Sequence, residues 1–371
     1  MDHTLKSSGP KRRTKTMLIN LVSVALVFVI LALVKENGLI NNYVQGILIQ
    51  CCYAIIMAVS LNITIGFLGQ IALGHAGFMA VGGYTSALVT KALTNAGILT
   101  ATDEFTKFIL FLIGILSGAL VAALFGIIVG IPALRLRGDY LAIITLAFGE
   151  IIRVVIQNLP FAGGRGLSRG QAGQALIGIK NLNNIYIVPL LAVITITLLF
   201  TLVRSKFGRA IMAIREDDIA SEVSGLNTTY YKVLAFTVSA FFAGVAGAVF
   251  AHRGLGTLQH TDFTFLKSTE YVIMVVIGGM GSITGSIIAA ILLSVLPELL
   301  RTFAEYRMLV YSLVLILMMV FRPSGICGTY EFSMTRFIES ITNWFRKNGG
   351  KSGAALKGTG SGTESGKEER K

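Results

Sequence analysis

The residues able to do chemistry are few and widely separated. His3, His75, His252 and His260 form no HExxH pair, and Cys51, Cys52 and Cys327 sit in no cluster with them, so spacing assembles neither a metal-ligand set nor a nucleophile with its base. The cysteines imply no disulfide framework. No GxxxxGK[ST] phosphate loop occurs, so if ATP drives this protein the hydrolysing subunit is another chain. What remains are polar groups set into apolar sequence. Gln70, His75 and Tyr84 lie among glycines between Gly66 and Leu88, and Glu150 lies inside the apolar run 139–158 with Arg153 three residues on. An imidazole in such a place is a proton carrier or a hydrogen-bond partner between helices, and the packing role is favoured. A carboxylate and a guanidinium there are expensive unless paired or facing a cavity, and the favoured reading is a pair that fixes packing, the other being a group near a gate. Gln70, together with backbone groups freed by a helix break, suits contact with a zwitterion. Gln70, Gly74, His75, Tyr84, Glu150 and Arg153 are therefore the pathway candidates.

The elements that hold these groups follow from composition. The 371 residues are 54% hydrophobic and only 14% charged, against roughly a quarter charged in a soluble domain. Runs of ~20 apolar residues, enough to cross a hydrocarbon layer about 30 Å thick, recur along the chain. The expected fold is an all-α, polytopic transmembrane bundle. The net charge of +13 sits in tails and short loops, so it reads as a topology signal and not as a nucleic-acid surface. Spans are expected near 17–34, 44–66, 69–91, 106–133, 139–158, 185–203, 230–251, 268–281, 283–300 and 306–322, ten in all. The first follows Lys11-Arg12-Arg13 and is too long for a signal h-region. The positive-inside rule places Lys6, Lys11, Arg12, Arg13 and Lys15 in the cytoplasm. Arg135, Arg137, Arg204, Lys206, Arg209, Arg215 and the Lys-rich C-terminus then fall on the same side. Against the rule, the outer loop 159–184 carries Arg165, Arg169 and Lys180.

Two segments depart from a lipid-facing helix. GFLGQIALGHAGFMAVGGYTSAL places glycines at 66, 69, 74, 77, 82 and 83, and IGGMGSITGS runs from Ile277 to Ser286. Interrupted hydrophobic segments in two halves of a chain suggest an inverted repeat of discontinuous helices with a pathway at its interface. The competing reading is small-residue packing faces like Gly114 to Gly118 and Gly126 to Gly130. Asp139 is expected to cap the start of its span.

The long inner loop RSKFGRAIMAIREDDIASEVSGLNTTYYK, from Arg204 to Lys232, spaces Ile211, Ile214, Ile219 and Val223 among Arg215, Glu216, Asp217, Asp218 and Glu222. This predicts one short amphipathic helix ending at Gly225, either a docking helix for a soluble partner or a solvated connector. After Arg322-Pro323, Phe337, Ile338, Ile341, Trp344 and Phe345 recur at helical spacing beside Arg336, Arg346 and Lys347, as in an interfacial helix. From Gly349 the composition is that of a disordered tail.

The loop resembles the EAA-type coupling loop of bacterial ABC importer permeases. GFLGQIALGHAGFMAVGGYTSAL, LRLRGDYLAIITLAFGEIIR, FGRAIMAIREDDIASEVSGLN and EYVIMVVIGGMGSITGS, in that order, resemble the LivM-type permease subunit of branched-chain amino acid ABC importers over roughly residues 17–323. Two segments depart from that pattern: the outer stretch AGGRGLSRGQAGQALIGI and a longer tail after Pro323. The resemblance implies a cell-membrane subunit of the bacterial cytoplasmic membrane with both termini cytoplasmic. Its implied partners are a second, LivH-like permease, two ABC ATPase subunits that bind the ATP and Mg, and an extracytoplasmic amino-acid-binding protein. This chain would then need no cofactor and catalyse no reaction. Carried onto this sequence, the coupling residues are Gly208, Arg209, Ala213, Ile214, Arg215, Glu216, Asp217, Ala220 and Gly225, with Glu216-Asp217-Asp218 standing where the general motif has Glu-Ala-Ala.

The organisation implied is a basic tail (1–16), a permease domain (17–323) with its coupling loop (204–229), an interfacial segment (324–348) and a tail (349–371). The implied cargo is leucine, isoleucine or valine. Urea, short amides or aromatic acids on the same architecture are the nearest alternative, and a stand-alone secondary transporter is the alternative from another class.

Overall fold

A computed structural model describes residues 41–97, 103–136, 138–162, 176–183, 185–254, 256–303, 306–322, 325, 326 and 328. All of them fall within one compact unit. The expected N-terminal tail and first span, most of the departing outer stretch (163–175) and the segments from 329 onward lie outside the described residues.

Among the described residues the fold is helical but for one two-residue strand pairing. In chain order the helices are α1 (Asn42–Asn62), extended by a π turn (Ile63–Phe67), α2 (His75–Asn95), α3 (Glu104–Ala133), α4 (Asp139–Asn158), α5 (Ile187–Arg204), α6 (Lys206–Glu216), α7 (Asp218–Val223), α8 (Thr228–Ala251), α9 (Phe265–Gly278), α10 (Ile283–Leu299) and α11 (Arg307–Phe321). Among the described residues, four stretches are long and apolar enough to cross a membrane: Tyr43–Phe67, Glu104–Ala133, Ile187–Arg204 and Thr228–Ala251. Ile283–Leu299 is a shorter apolar helix.

Small residues decide the packing. A Cβ on Gly82 of α2 would lie 2.3 Å from the Gly244 Cα of α8, and one on Gly118 of α3 would lie 2.5 Å from the Gly82 carbonyl oxygen. Backbone meets backbone at this three-helix seam, the arrangement that small residues permit between apolar helices. On the far side of α3, Leu112, Leu116, Leu120 and Leu124 are exposed at intervals of four residues, an apolar stripe suited to lipid or another apolar chain.

Helix ends gather at two poles. At one, the C-terminal end of α1, the α9–α10 junction and Arg215 of α6 come together. At the other, Tyr43 donates to Glu298, Lys91 to the Ile177 carbonyl and Tyr84 to the Leu258 carbonyl. A two-residue antiparallel pairing, Leu176–Ile177 (β1) with Thr257–Leu258 (β2), ties the loops at this second pole. His252 clamps them further: its Nδ1 lies 3.1 Å from the Lys180 carbonyl and its Nε2 3.1 Å from Ser86 Oγ. A carbonyl only accepts, so Nδ1 carries the hydrogen and Nε2 accepts from the hydroxyl.

Several expectations change. The helix expected from residue 69 begins at His75, because the chain unwinds between Gly69, at φ 75°, and Gly74. The single amphipathic helix of the inner loop is two, since Asp217 leaves helical geometry and its side chain accepts from the amides of Ile219 and Ala220. Asp139 is no cap: Gly138, at φ 60°, occupies that position, and Asp139 stands in the first turn, where its charge favours the helix N-terminus. The chain just past Arg322 turns back onto the helices, the Ile326 amide donating to the Ile277 carbonyl at 2.7 Å.

Candidate functional site: two helix breaks and the inner helical loop

The first break follows from the π turn at the end of α1. Leu68 donates to the Ile63 carbonyl (3.0 Å) and Gln70 reaches back to Thr64 (2.9 Å), so the chain leaves helical register. Unwound backbone at membrane depth needs partners from protein. Thr145 Oγ1 of α4 accepts from the Leu73 amide at 3.0 Å, and Ser268 Oγ of α9 accepts from the Ala76 amide at 2.9 Å. The second break lies between α9 and α10, where Gly279 and Gly281 hold φ of 112° and 90° and Ser282 caps α10 by accepting from the Gly285 amide. Left-handed backbone at both positions is what glycine allows.

The two breaks meet. A Cβ on Gly66 would lie 2.3 Å from the Gly281 nitrogen and 1.8 Å from Asn62 Oδ1. Asn62, wholly buried, donates to the Ser282 carbonyl and to Ser286 Oγ, both at 2.9 Å, and accepts from the Gly281 amide at 3.0 Å. From α6, Arg215 Nη1 donates to the Gly66 carbonyl at 2.5 Å.

The pathway candidates divide among four places. Gln70 lies at the first break, and its buried Oε1 has no hydrogen-bond partner. His75 is buried against α1, with Nε2 3.0 Å from Ser60 Oγ. Ser60 gives its own hydrogen to the Met57 carbonyl (2.9 Å), so Nε2 is the donor to Ser60. Gly74 packs on α4, where a Cβ would lie 2.0 Å from the Thr145 carbonyl oxygen. Glu150 borders the same region, in a shallow recess lined by Leu73, Gly77, Gly149, Phe265 and Ser268. It leaves no room for a water molecule, so this is a seam and not a ligand-sized pocket. Within it Glu150 Oε1 accepts from the Phe265 amide at the start of α9 (3.0 Å) and Oε2 from Arg153 Nε (2.7 Å). A helix N-terminus and a guanidinium thus share the carboxylate's charge. Tyr84 belongs elsewhere, bonded to Leu258 at the opposite pole.

The inner loop is built as a rigid corner. Ser205 caps α6 through the amides of Phe207 and Gly208, and Gly208 sits where a Cβ would meet the Val203 carbonyl oxygen at 2.1 Å. Arg209 Nη1 reaches the Arg204 carbonyl at 3.4 Å, and the Ala213 carbonyl accepts from the Asp217 amide. Asp218 pairs with the buried Lys232 of α8 at 2.6 Å, and Gly225 ends the corner at φ 86°. The four apolar residues split: Ile211 and Ile214 are buried, whereas Ile219 is 65% and Val223 85% exposed. Ala213, Glu216, Asp217 and Ala220 share that exposed surface.

Sequence reasoning missed Asn62, Thr145, Ser268, Ser282 and Ser286. For Asn62 a signal existed: it is the one side-chain amide between Gln50 and Gln70, four residues before Gly66.

Apolar helices of spanning length, two unwound segments seated against each other and an exposed helical corner below them are the parts of a membrane permease. The sequence agrees: residues 43–321 match the family described as branched-chain amino acid transport system, permease component, and the chain belongs to that family. It is 39% identical over 299 residues to the high-affinity branched-chain amino acid transport system permease protein LivM of Salmonella typhimurium, covering 73% of this chain and 67% of that one. The LivM of Escherichia coli K12 is 38% identical over the same shares. The corresponding LivH of Salmonella typhimurium is 27% identical over 302 residues, 77% of this chain and 94% of its own. No solved structure matches. The protein is thus a membrane permease component and not a member of an enzyme class.

Proposed function

We propose that this chain is the LivM-type half of an ATP-driven importer, forming with a LivH-like permease the path for leucine, isoleucine and valine. Similarity to both LivM and LivH supports a pair of unlike permeases descended from one fold. In this reading the chain crosses the bacterial cytoplasmic membrane ten times with both termini inside. Support comes from the described helices, whose ends alternate between the two poles from α1 to α5 and from α8 to α11. The Arg215 pole then faces the cytoplasm, and the paired β1–β2 loops face the binding protein.

The observation that carries the coupling role is the inner corner. Its buried side (Gly208, Ile211, Ile214) holds it to the bundle, while Ile219 and Val223 stand exposed among the described residues. Exposed apolar side chains on a rigid helical element suit a groove in a soluble subunit. Two ATPase subunits would dock there and supply the ATP and Mg chemistry. Gly208, Arg209, Ala213, Ile214, Arg215, Glu216, Asp217, Ala220 and Gly225 would carry the movement. Gln70 and the unwound backbone would meet the cargo, and Gly74, His75, Tyr84, Glu150 and Arg153 would fix the helices that line its path.

The test is uptake of labelled leucine by cells holding the whole transporter, with and without this chain, under ATP depletion or a protonophore. Uptake that needs this chain and ATP, survives the protonophore and is competed by isoleucine and valine supports the reading. Competition only by urea, amides or aromatic acids replaces the cargo; uptake that follows the proton gradient replaces the mechanism.

A further inference from the structure

We propose that Asn62 and Arg215 form a polar latch that holds the two helix breaks together and passes movement of α6 directly into both. The consequence for transport rests on the importer reading; the latch itself rests on geometry alone. Three glycines make the socket for the guanidinium. A Cβ on Gly69 would lie 2.8 Å from Arg215 Cγ, one on Gly281 3.2 Å from Nη1, and Gly66 offers its carbonyl oxygen at 2.5 Å from the same nitrogen. That carbonyl is offered because Gln70, the residue four further on, gives its amide to Thr64 instead. The π turn therefore has a mechanical result: it presents one backbone acceptor to a side chain of the inner corner.

Asn62 completes the contact from within. Its side chain makes three hydrogen bonds, two donated and one accepted, all to Gly281, Ser282 and Ser286 of the second break. Each break is thereby fastened to the other through Asn62, and the first is fastened to α6 through Arg215. A rigid displacement of α6 pulls on the Gly66 carbonyl, and the Gly66–Gly281 contact transmits it. Both residues are positioning residues, since neither is assigned to the cargo. An amide so placed cannot be replaced by a carboxylate of equal size: Asn62→Asp would set an acceptor against the Ser282 carbonyl.

The experiment uses the complete transporter in lipid nanodiscs, with two readouts on the same preparations: hydrogen exchange by mass spectrometry, and leucine uptake per ATP hydrolysed after reconstitution. In Arg215→Ala and in Asn62→Asp, exchange is expected to rise about tenfold in the segments spanning 63–74 and 279–286, the shift for losing roughly one hydrogen bond to a charged or buried group. Protection in α8 should stay unchanged. Uptake per ATP should fall by a similar factor, and Arg215→Lys, which keeps one donor, should restore part of both readouts. Unchanged exchange at 279–286 in Arg215→Ala overturns the latch, as does a wild-type uptake-to-ATP ratio in both variants. Loss of protection in α8 as well overturns it too, assigning the residues to folding instead. If the unaltered complex takes up leucine without ATP, the importer reading fails, while the exchange data still decide the latch.

Discussion

Gly247 of α8 has no room for a side chain, because a Cβ there would lie 2.0 Å from the Met79 carbonyl oxygen of α2. Gly46 of α1 meets nothing within 4 Å. Thermal unfolding in detergent should separate them: Gly247→Ala destabilises by about 1–3 kcal/mol through overpacking against backbone, whereas Gly46→Ala is neutral or stabilises by about 0.5–1 kcal/mol through helix propensity. At Glu150 the order of effects is the informative quantity. Arg153→Ala removes one hydrogen bond from the carboxylate, but Glu150→Ala removes that bond and also the acceptor at the start of α9. The same melting assay should therefore find Glu150→Ala the more damaging, by roughly 1 kcal/mol, and equal losses would mean that the α9 contact contributes nothing. Sequence showed that Glu150 and Arg153 were close enough to pair, since three residues separate neighbours on a helix. It could not show the Phe265 amide, which lies 115 positions away and arrives only through folding. Gln70 was legible as a polar residue at a break, but its unpartnered Oε1 was not, for the same reason.

Among the elements, helices with long apolar runs were read within a few residues, α3 being expected near 106–133 and found at Glu104–Ala133. The misreadings fall where backbone departs from regular geometry. Glycines at 66, 69 and 74 marked a weak segment, yet hydropathy continues unbroken through Ile71 and Leu73, so the unwound stretch before α2 was read as helix. In the inner loop the apolar spacing fits one helix, and only the local competition of the Asp217 side chain for the amides of Ile219 and Ala220 divides it. That division turns Ile211 and Ile214 inward and leaves Ile219 and Val223 outside. Two outcomes are expected from it. Ala213→Pro, which removes an amide and clashes within α6, costs about 3 kcal/mol of local helix and should abolish ATP-driven uptake while the protein still inserts; normal uptake would sink the coupling assignment. Val223→Cys should cross-link to an ATPase subunit in membranes holding the whole transporter, and a transporter that works while giving no such adduct would place the docking surface elsewhere.

As a whole the molecule has two working poles joined by rigid helices. At one, β1 and β2 close the loops beneath His252 and Lys180; at the other, the helix breaks meet the inner corner through Asn62 and Arg215. Between them the glycine seam of α2, α3 and α8 packs backbone against backbone and leaves little slack. The membrane character and the permease family were legible from composition and four short motifs, and the match over residues 43–321 agrees. Cargo identity was not legible, because no spacing of residues in the sequence marks the groups that would touch it. In the proposed mechanism ATP, acting through α6 and α7, drives uptake through this chain. Proteoliposomes containing both permeases and the ATPase subunits, with binding protein outside and ATP inside, test it most directly by following labelled leucine. The expected result is accumulation that requires both enclosed ATP and external binding protein and that is lost with Ala213→Pro. Accumulation without ATP, driven by an imposed proton gradient, would contradict it.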